Sequence, residues 1–336
     1  MILPTTYAAA LLLTLLSMIC WGSWANTFKL SKNWRFELFY FDYAFGVLIM
    51  ALIAAFTFGS MGDELSFMDN LLITGKRQMA MAMAAGGIFN LANMLLVAAI
   101  SISGLAVAFP VGIGLALVIG VVWNYILRPA GNPALLFGGA AIVILAILVD
   151  ALAYRNHAVT SQKGGAKFSA KGLILSLISG VLMGSFYPLV EMSREGEIGL
   201  GPYTAGVMFS IGVLITTFIF NLYFMNLPVQ GEPVPITAYF KGGIKNHLLG
   251  LIGGMIWCAG AITNFVAASA PPDVNVGPAM SYAMGQGATL ISALWGLLVW
   301  KEFAGATSRV RTLLTVMIVL FVIGLGMVSV APLYAS

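Results

Sequence analysis

The stretch Gly104-x-Ala106-x-x-Phe109-x-x-Gly112-x-Gly114 recurs as Gly277-x-Ala279-x-x-Tyr282-x-x-Gly285-x-Gly287, 173 positions further on. Each copy lies in an apolar run of about 20 residues, the length that crosses a bilayer. Three further matches keep the same order along the chain. Trp21-Gly22-Ser23-Trp24 answers to Met183-Gly184-Ser185-Phe186, and Tyr43-x-x-Gly46-Val47 to Tyr203-x-x-Gly206-Val207. Asn93 answers to Asn264, each leading into Val-Ala-Ala. One such match is within chance; four in order read as an internal duplication.

Scanning outward for similar runs gives ten spans, at 7–28, 38–58, 78–100, 104–127, 134–152, 172–190, 203–225, 247–268, 277–300 and 311–331. The fold expected is an all-α integral membrane protein. Residues 1–152 form a first five-helix repeat, 153–171 a linker, and 172–336 a second repeat. Because five is odd, the second copy enters the bilayer inverted. Composition agrees: 60% of the 336 residues are hydrophobic and 8% charged, which excludes a soluble enzyme. The net charge of +4 is too small and scattered for a nucleic-acid-binding face. The first 20 residues lack a basic n-region and read as a span, not a cleaved leader.

Twelve of the sixteen Lys and Arg fall in the loops joining spans 1–2, 3–4, 5–6, 7–8 and 9–10. The positive-inside rule makes that face cytoplasmic and puts both termini outside, in a cell (inner) membrane. Acidic Asp63, Glu64, Asp69, Glu195, Glu197 and Asp273 fall on the other face. Cys20 and Cys258 lie in apolar stretches, and His157 and His247 in separate loops, so neither a disulfide framework nor a metal site is expected. There is no Gly-x-x-x-x-Gly-Lys-Ser/Thr loop, so no nucleotide or other cofactor is expected and transport would be secondary.

An inverted repeat places a substrate site near mid-membrane, between the halves. Polar and aromatic residues within spans are the candidates: Trp21 and Trp24 on span 1, Asn90 and Asn93 on span 3, Trp257 and Asn264 on span 8, Tyr282 and Gln286 on span 9. Amides present both donors and acceptors, and indoles stack on flat rings or on the apolar face of a sugar. The competing reading makes Asn and Gln interhelical hydrogen-bond glue, worth about 0.6–2 kcal/mol. Trp34, Trp295 and Trp300 read as interfacial or packing residues. Pro110 could kink span 4, and Gly112, Gly114, Gly285 and Gly287 could form a hinge or let helices pack closely, as could Gly180 and Gly184. No Asp or Glu falls at mid-span. The gating or coupling candidates therefore lie at span ends: Lys29 with Asp42 as its partner, Glu191 at the repeat position of Lys29, and Lys301 with Glu302.

The segments Phe41-Asp42-Tyr43, Phe56-Thr57-Phe58-Gly59, Met81-Ala82-Met83-Ala84-Ala85-Gly86-Gly87-Ile88, Asn124-Tyr125, Leu294-Trp295-Gly296 and Lys301-Glu302 resemble ureide permeases and their bacterial glucose/ribose-porter-like relatives. Both belong to the drug/metabolite transporter superfamily. The resemblance implies proton-coupled import of a small neutral solute, namely a ureide such as allantoin, an oxo-heterocycle such as uracil, or a sugar. Plant ureide permeases carry a long central cytoplasmic loop, which is short here. A passive facilitator or an exporter is the alternative that the missing central carboxylate favours. The protein is expected as a monomer or homodimer in the lipid bilayer.

Overall fold

The computed structural model describes residues 1–31, 34–62, 64–160, 169–228, 231–274 and 276–334. Lys32, Asp63 and the 161–168 part of the linker lie outside the described residues. The described part contains ten helices long and apolar enough to cross a membrane. They are α1 (Tyr7–Leu30), α2 (Phe36–Ser60), α3 (Lys76–Ser103), α4 (Leu105–Leu127), α5 (Pro133–Val159), α6 (Ala170–Ser193), α7 (Pro202–Asn226), α8 (Ile244–Ala267), α9 (Pro278–Val299) and α10 (Ser308–Tyr334).

Local chemistry sets many of the ends. Thr6, Ser169 and Thr307 cap α1, α6 and α10 by accepting from backbone N–H groups of the first turn. Pro202 and Pro278 occupy first-turn positions, where a missing N–H costs nothing. Gly104 alone separates α3 from α4, at φ +77°, a conformation glycine adopts without penalty. The helix of span 5 continues past 152 to Thr160, so the start of the expected linker is helical: Ala151–Thr160 contains no glycine or proline to stop it.

Loop contacts sort the chain ends and turns onto two faces. Met1 donates to the carbonyls of Glu64 and Leu65, Asn132 bonds Ala331 and Tyr334, and Arg194 reaches Ser269. This is the terminal face. On the other, basic face Lys29 meets Glu302, and Arg35 donates to the Glu232 carbonyl. The short helix Phe67–Ile73 lies on the terminal face, with Phe67 buried and Leu72 exposed. Apolar side chains such as Leu12, Ile126, Leu298 and Val322 cover the outside of the bundle, as a lipid-facing surface requires.

Glycines bring the helices together. A Cβ added to Gly46 of α2 would lie 2.0 Å from the Leu251 carbonyl oxygen, and one on Gly254 of α8 1.9 Å from that of Tyr43. Gly212 of α7 and Gly86 of α3 repeat the arrangement, 2.0 Å from Met83 O and 2.1 Å from Phe209 O. Gly22 of α1 fits against Ala288 O and Ile291 of α9, and Gly184 of α6 against Ala116 O and Ile119 of α4. Gly180 packs on Gly112 O, so the Gly180/Gly184 face serves close packing. Exchanging each helix for the one five away carries the Gly46/Gly254 contacts into those of Gly212/Gly86, and the contact of Gly22 into that of Gly184. One sequence match does not share this correspondence. Tyr43 lies well inside α2, whereas Tyr203 stands at the start of α7, and the glycine that packs as Gly46 does is Gly212, not Gly206. Gly212→Val is expected to abolish folded protein, because the clash is with backbone that cannot yield; a monodisperse peak in detergent size-exclusion chromatography would refute this.

Span 4 runs through Pro110 without a break, and Gly114 faces open space. The interruption is in span 9, at Gln286–Gly287, where the backbone switches to tighter turns (Gly287 N to Met284 O, 3.0 Å; Leu290 N to Gly287 O, 2.9 Å).

Candidate functional site

A cavity of about 370 Å³ lies between α1, α3, α4, α6, α8 and α9, with the start of α2 at one end. One end is aromatic. Trp21 and Trp257 stack at 6.0 Å with planes 15° apart, Phe89 stacks on Trp257 at 4.3 Å, and Trp21 Nε1 donates to the Trp257 carbonyl. Trp21 is seated between two glycines: a Cβ on Gly260 would touch its Cδ1 at 2.7 Å, and one on Gly285 its Cζ3 at 2.5 Å. Gly285 thus makes room for an indole. The cavity continues past Trp24 and Phe28 to Phe36 and Ile100, towards the basic face.

Polar groups are few and uncharged. Asn93 donates to the Tyr40 hydroxyl at 3.0 Å, leaving its Oδ1 uncommitted. Gln286 projects from the break in α9, followed on the same face by Thr289 and, one turn on, Ser292. Among the described residues, none that lines the cavity carries a charge.

Of the eight candidate binding residues, Trp21, Trp24, Asn93, Trp257 and Gln286 line this cavity. Asn90, Asn264 and Tyr282 do not: the Asn90 amide nitrogen and the polar atoms of Asn264 and Tyr282 are committed between helices, and the Asn90 Oδ1 is buried without a hydrogen-bond partner. Asn90 on α3 donates to Thr216 Oγ1 (2.9 Å), Thr217 Oγ1 (3.1 Å) and Val213 O of α7. Asn264 accepts from the Tyr187 hydroxyl at 2.7 Å and donates to Ser17 Oγ and Ser281 O, tying α8 to α6, α1 and α9. The Tyr282 hydroxyl donates to Ala116 O and Met183 O, its ring filling the space over Gly120. Asn90→Ala is expected to lower the melting temperature through loss of interhelical bonds worth about 1–2 kcal/mol, with ligand affinity unchanged; an affinity loss would move Asn90 into the site. Phe89, Phe186, Thr289 and Ser292 line the cavity and were missed, although Phe89 shares a helix face with Asn93, and Thr289 with Gln286.

Beyond the cavity, a polar cluster lies towards each face. On the terminal face Arg194 pairs with Glu191 at 2.6 Å and donates to Ser269 Oγ, while Arg128 donates to Ala268 O at 3.1 Å and to Ala270 O. On the basic face Lys29 pairs with Glu302, which also accepts from Tyr154 at 2.9 Å, and Lys29 Nζ sits 4.5 Å over the Trp300 ring. Trp295 and Trp300 donate to Ser23 and Asn26 of α1. The expected Lys29–Asp42 pair does not form. Gly250 lets α8 approach the Asp42 Cβ, and the carboxylate accepts from Tyr239 (2.6 Å) and meets His247 Nδ1 (2.8 Å). Burial, then the bond to Asp42, holds the Tyr239 hydroxyl above its ordinary pKa, so it remains the donor. Lys301 is exposed at φ +51° and makes the turn that carries Glu302 N back to Gly296 O.

The sequence matches the family model "Ureide permease" over residues 39–171 and 165–331, the two segments meeting in the linker. Ureide permease 1 of Arabidopsis thaliana is 24% identical, the alignment covering 96% of this chain and 95% of that protein. Its 391 aligned positions exceed the 336 residues here, so the plant protein carries residues without a counterpart. Ureide permease 2 of the same plant is 24% identical over 94% of each chain, and probable ureide permease A3 of Vigna unguiculata 23% over 80% of this one and 88% of its own. A solved crystal structure aligns with 98% of this chain and 99% of its own at 14% identity and TM-score 0.63, a likeness of fold. Matched along most of its length, this multi-pass membrane protein belongs to the ureide permease family, whose members are transporters and not enzymes.

Proposed function

We propose that the protein imports a small neutral ureide or oxo-heterocycle, of the kind of allantoin or uracil, by alternating access with proton symport. The observation that carries the reading is the chemistry of the cavity: stacked indoles beside an uncommitted amide oxygen and the Gln286 amide, with no charge on its walls. A flat, uncharged, hydrogen-bonding solute suits such walls, since an ion would lose its hydration without a counter-charge. The volume falls in the range of small-molecule sites, about 300–1,000 Å³. The names of the plant relatives support the ureide class.

In this reading the chain is a pair of inverted five-helix repeats of the drug/metabolite transporter type, in the inner membrane with the basic face cytoplasmic. The glycine contacts that map onto each other at a shift of five helices support it. The site is then presented to the cytoplasm, with the Arg128–Glu191–Arg194 cluster closing the outside. Lys29–Glu302 is its counterpart at the inner end: Glu191 stands at the repeat position of Lys29, and Arg128 at that of Lys301, beside Glu302. The exposed hydroxyl of Ser292 and the buried one of Thr289 favour a second reading, a sugar stacked on Trp21.

Thermal-shift screening of purified protein against allantoin, uracil, glucose, rhamnose and ribose decides between them. Ligand at about 100 times its Kd stabilises the folded state by about 2.7 kcal/mol. Stabilisation by allantoin or uracil alone is expected; stabilisation by the sugars alone would replace this reading with the second.

A further inference from the structure

Three carboxylates are buried within the spans: Asp42, Asp150 and Glu191. Asp42 is held by Tyr239 and His247, and Glu191 by Arg194. Asp150 differs. It is 7% exposed, its Oδ1 is enclosed without a hydrogen-bond partner, and it forms no ion pair among the described residues. An ionised carboxylate in such a place costs several kcal/mol, so the side chain is neutral and carries a proton.

Other titratable groups lie on its basic-face side. On its own helix, Tyr154 lies one turn nearer the basic face and donates to Glu302 Oε2, while His157 packs on Phe303 at 5.2 Å. From the segment after α9 comes Glu302, which accepts from the Tyr154 hydroxyl. From α10 come only the exposed Arg309 and Arg311, and α4 has no titratable side chain in its basic-face half. Lys29 reaches Glu302 from α1. The π-helical turn Trp295–Val299 is shaped around the cluster: a Cβ on Gly296 would lie 2.9 Å from Glu302 Oε2 and 3.4 Å from the Tyr154 hydroxyl. Lys29 thus neutralises Glu302, and Asp150, one helical turn from Tyr154, has no counter-charge of its own among the described residues.

We propose that Asp150 is the proton-carrying residue of the transport cycle, releasing its proton at the basic face when the Lys29–Glu302–Tyr154 contact opens. The Asp150 O–H bond breaks, its electron pair stays on the carboxylate, and water takes the proton. Lys29, freed from Glu302, then supplies the charge that the new carboxylate needs. The assignment rests on the import reading above and provides the carboxylate that the cavity itself lacks.

The test uses full-length protein in proteoliposomes, wild type against Asp150→Asn, with radiolabelled allantoin. Counterflow at equal pH reads exchange; accumulation under a one-unit pH gradient reads coupling; a sodium gradient serves as the other arm. One coupled proton sustains about tenfold accumulation, since a tenfold ratio corresponds to one pH unit. Expected is about tenfold accumulation by wild type and none above equilibration by Asp150→Asn, with counterflow of the variant within about twofold of wild type. Accumulation by Asp150→Asn equal to wild type overturns the assignment. So does wild-type accumulation that follows sodium instead of pH, or wild-type counterflow without accumulation. Absent counterflow in wild type overturns the import reading and this one with it. If Asp150→Asn fails to exchange, Asp150→Glu, which keeps a titratable group, must restore both activities; otherwise the assignment falls.

Discussion

Trp21→Ala is expected to weaken binding of allantoin by about 10- to 100-fold, because a ring stacked on an aromatic side chain gains about 1–3 kcal/mol and each 1.4 kcal/mol is a factor of ten. Trp21 is the indole to replace. It is only half-buried, whereas Trp257 is 5% exposed and also packs on Phe209, so truncating Trp257 would damage the core along with the site. Truncation of Trp21 empties a slot that Gly260 and Gly285 leave between α8 and α9. Phe45→Ala, on the exposed outer side of α2, is the control and should leave affinity unchanged. Isothermal titration of the purified variants reads both; equal affinities for wild type and Trp21→Ala would remove Trp21 from the site.

The second large effect concerns the terminal face. Glu191→Ala leaves the Arg194 guanidinium, only 10% exposed, without its counter-charge, and breaking a buried pair in this way costs about 3–5 kcal/mol. That cost falls on the closed arrangement alone, since Arg194 regains water once α6 and the α8–α9 loop separate. The population therefore shifts towards opening on this face. A cysteine placed at Ser269, the residue Arg194 holds, should react faster with a membrane-impermeant maleimide when Glu191 is alanine. Unchanged labelling together with an unchanged melting temperature would show that the cluster does not close the path.

The spans were legible because the bilayer demands long apolar runs and the chain supplies ten of them. The helical extension to Thr160 was hidden, since hydropathy ends where lipid ends but a helix does not. Of the ordered sequence matches, Gly22 and Gly184 take corresponding backbone contacts, against Ala288 and Ile291 and against Ala116 and Ile119. The Tyr43/Tyr203 match fell out of register because a short tyrosine-glycine pattern recurs by chance in glycine-rich helices, and only the backbone contacts of Gly46 and Gly212 reveal the correspondence. In the site, residue type pointed to Asn90, Asn264 and Tyr282 as readily as to Asn93 and Gln286. What separates them is which neighbour each polar atom meets: Thr217, Ser17 and Ala116 lie on other helices, beyond the reach of any local pattern. Likewise Lys29 and Asp42 are close in sequence, yet Lys29 finds Glu302 from the far end of the chain.

In the proposed function a neutral solute binds against Trp21 and Gln286, inside uncharged walls. A cryo-electron microscopy structure of the protein with saturating allantoin tests it most directly. Expected is density stacked on the Trp21 ring and within hydrogen-bond distance of Gln286 and Asn93 Oδ1. Density confined to the separate cavity of about 360 Å³ beside Arg35, Glu37 and Asn221, with the Trp21 cavity empty, would contradict it.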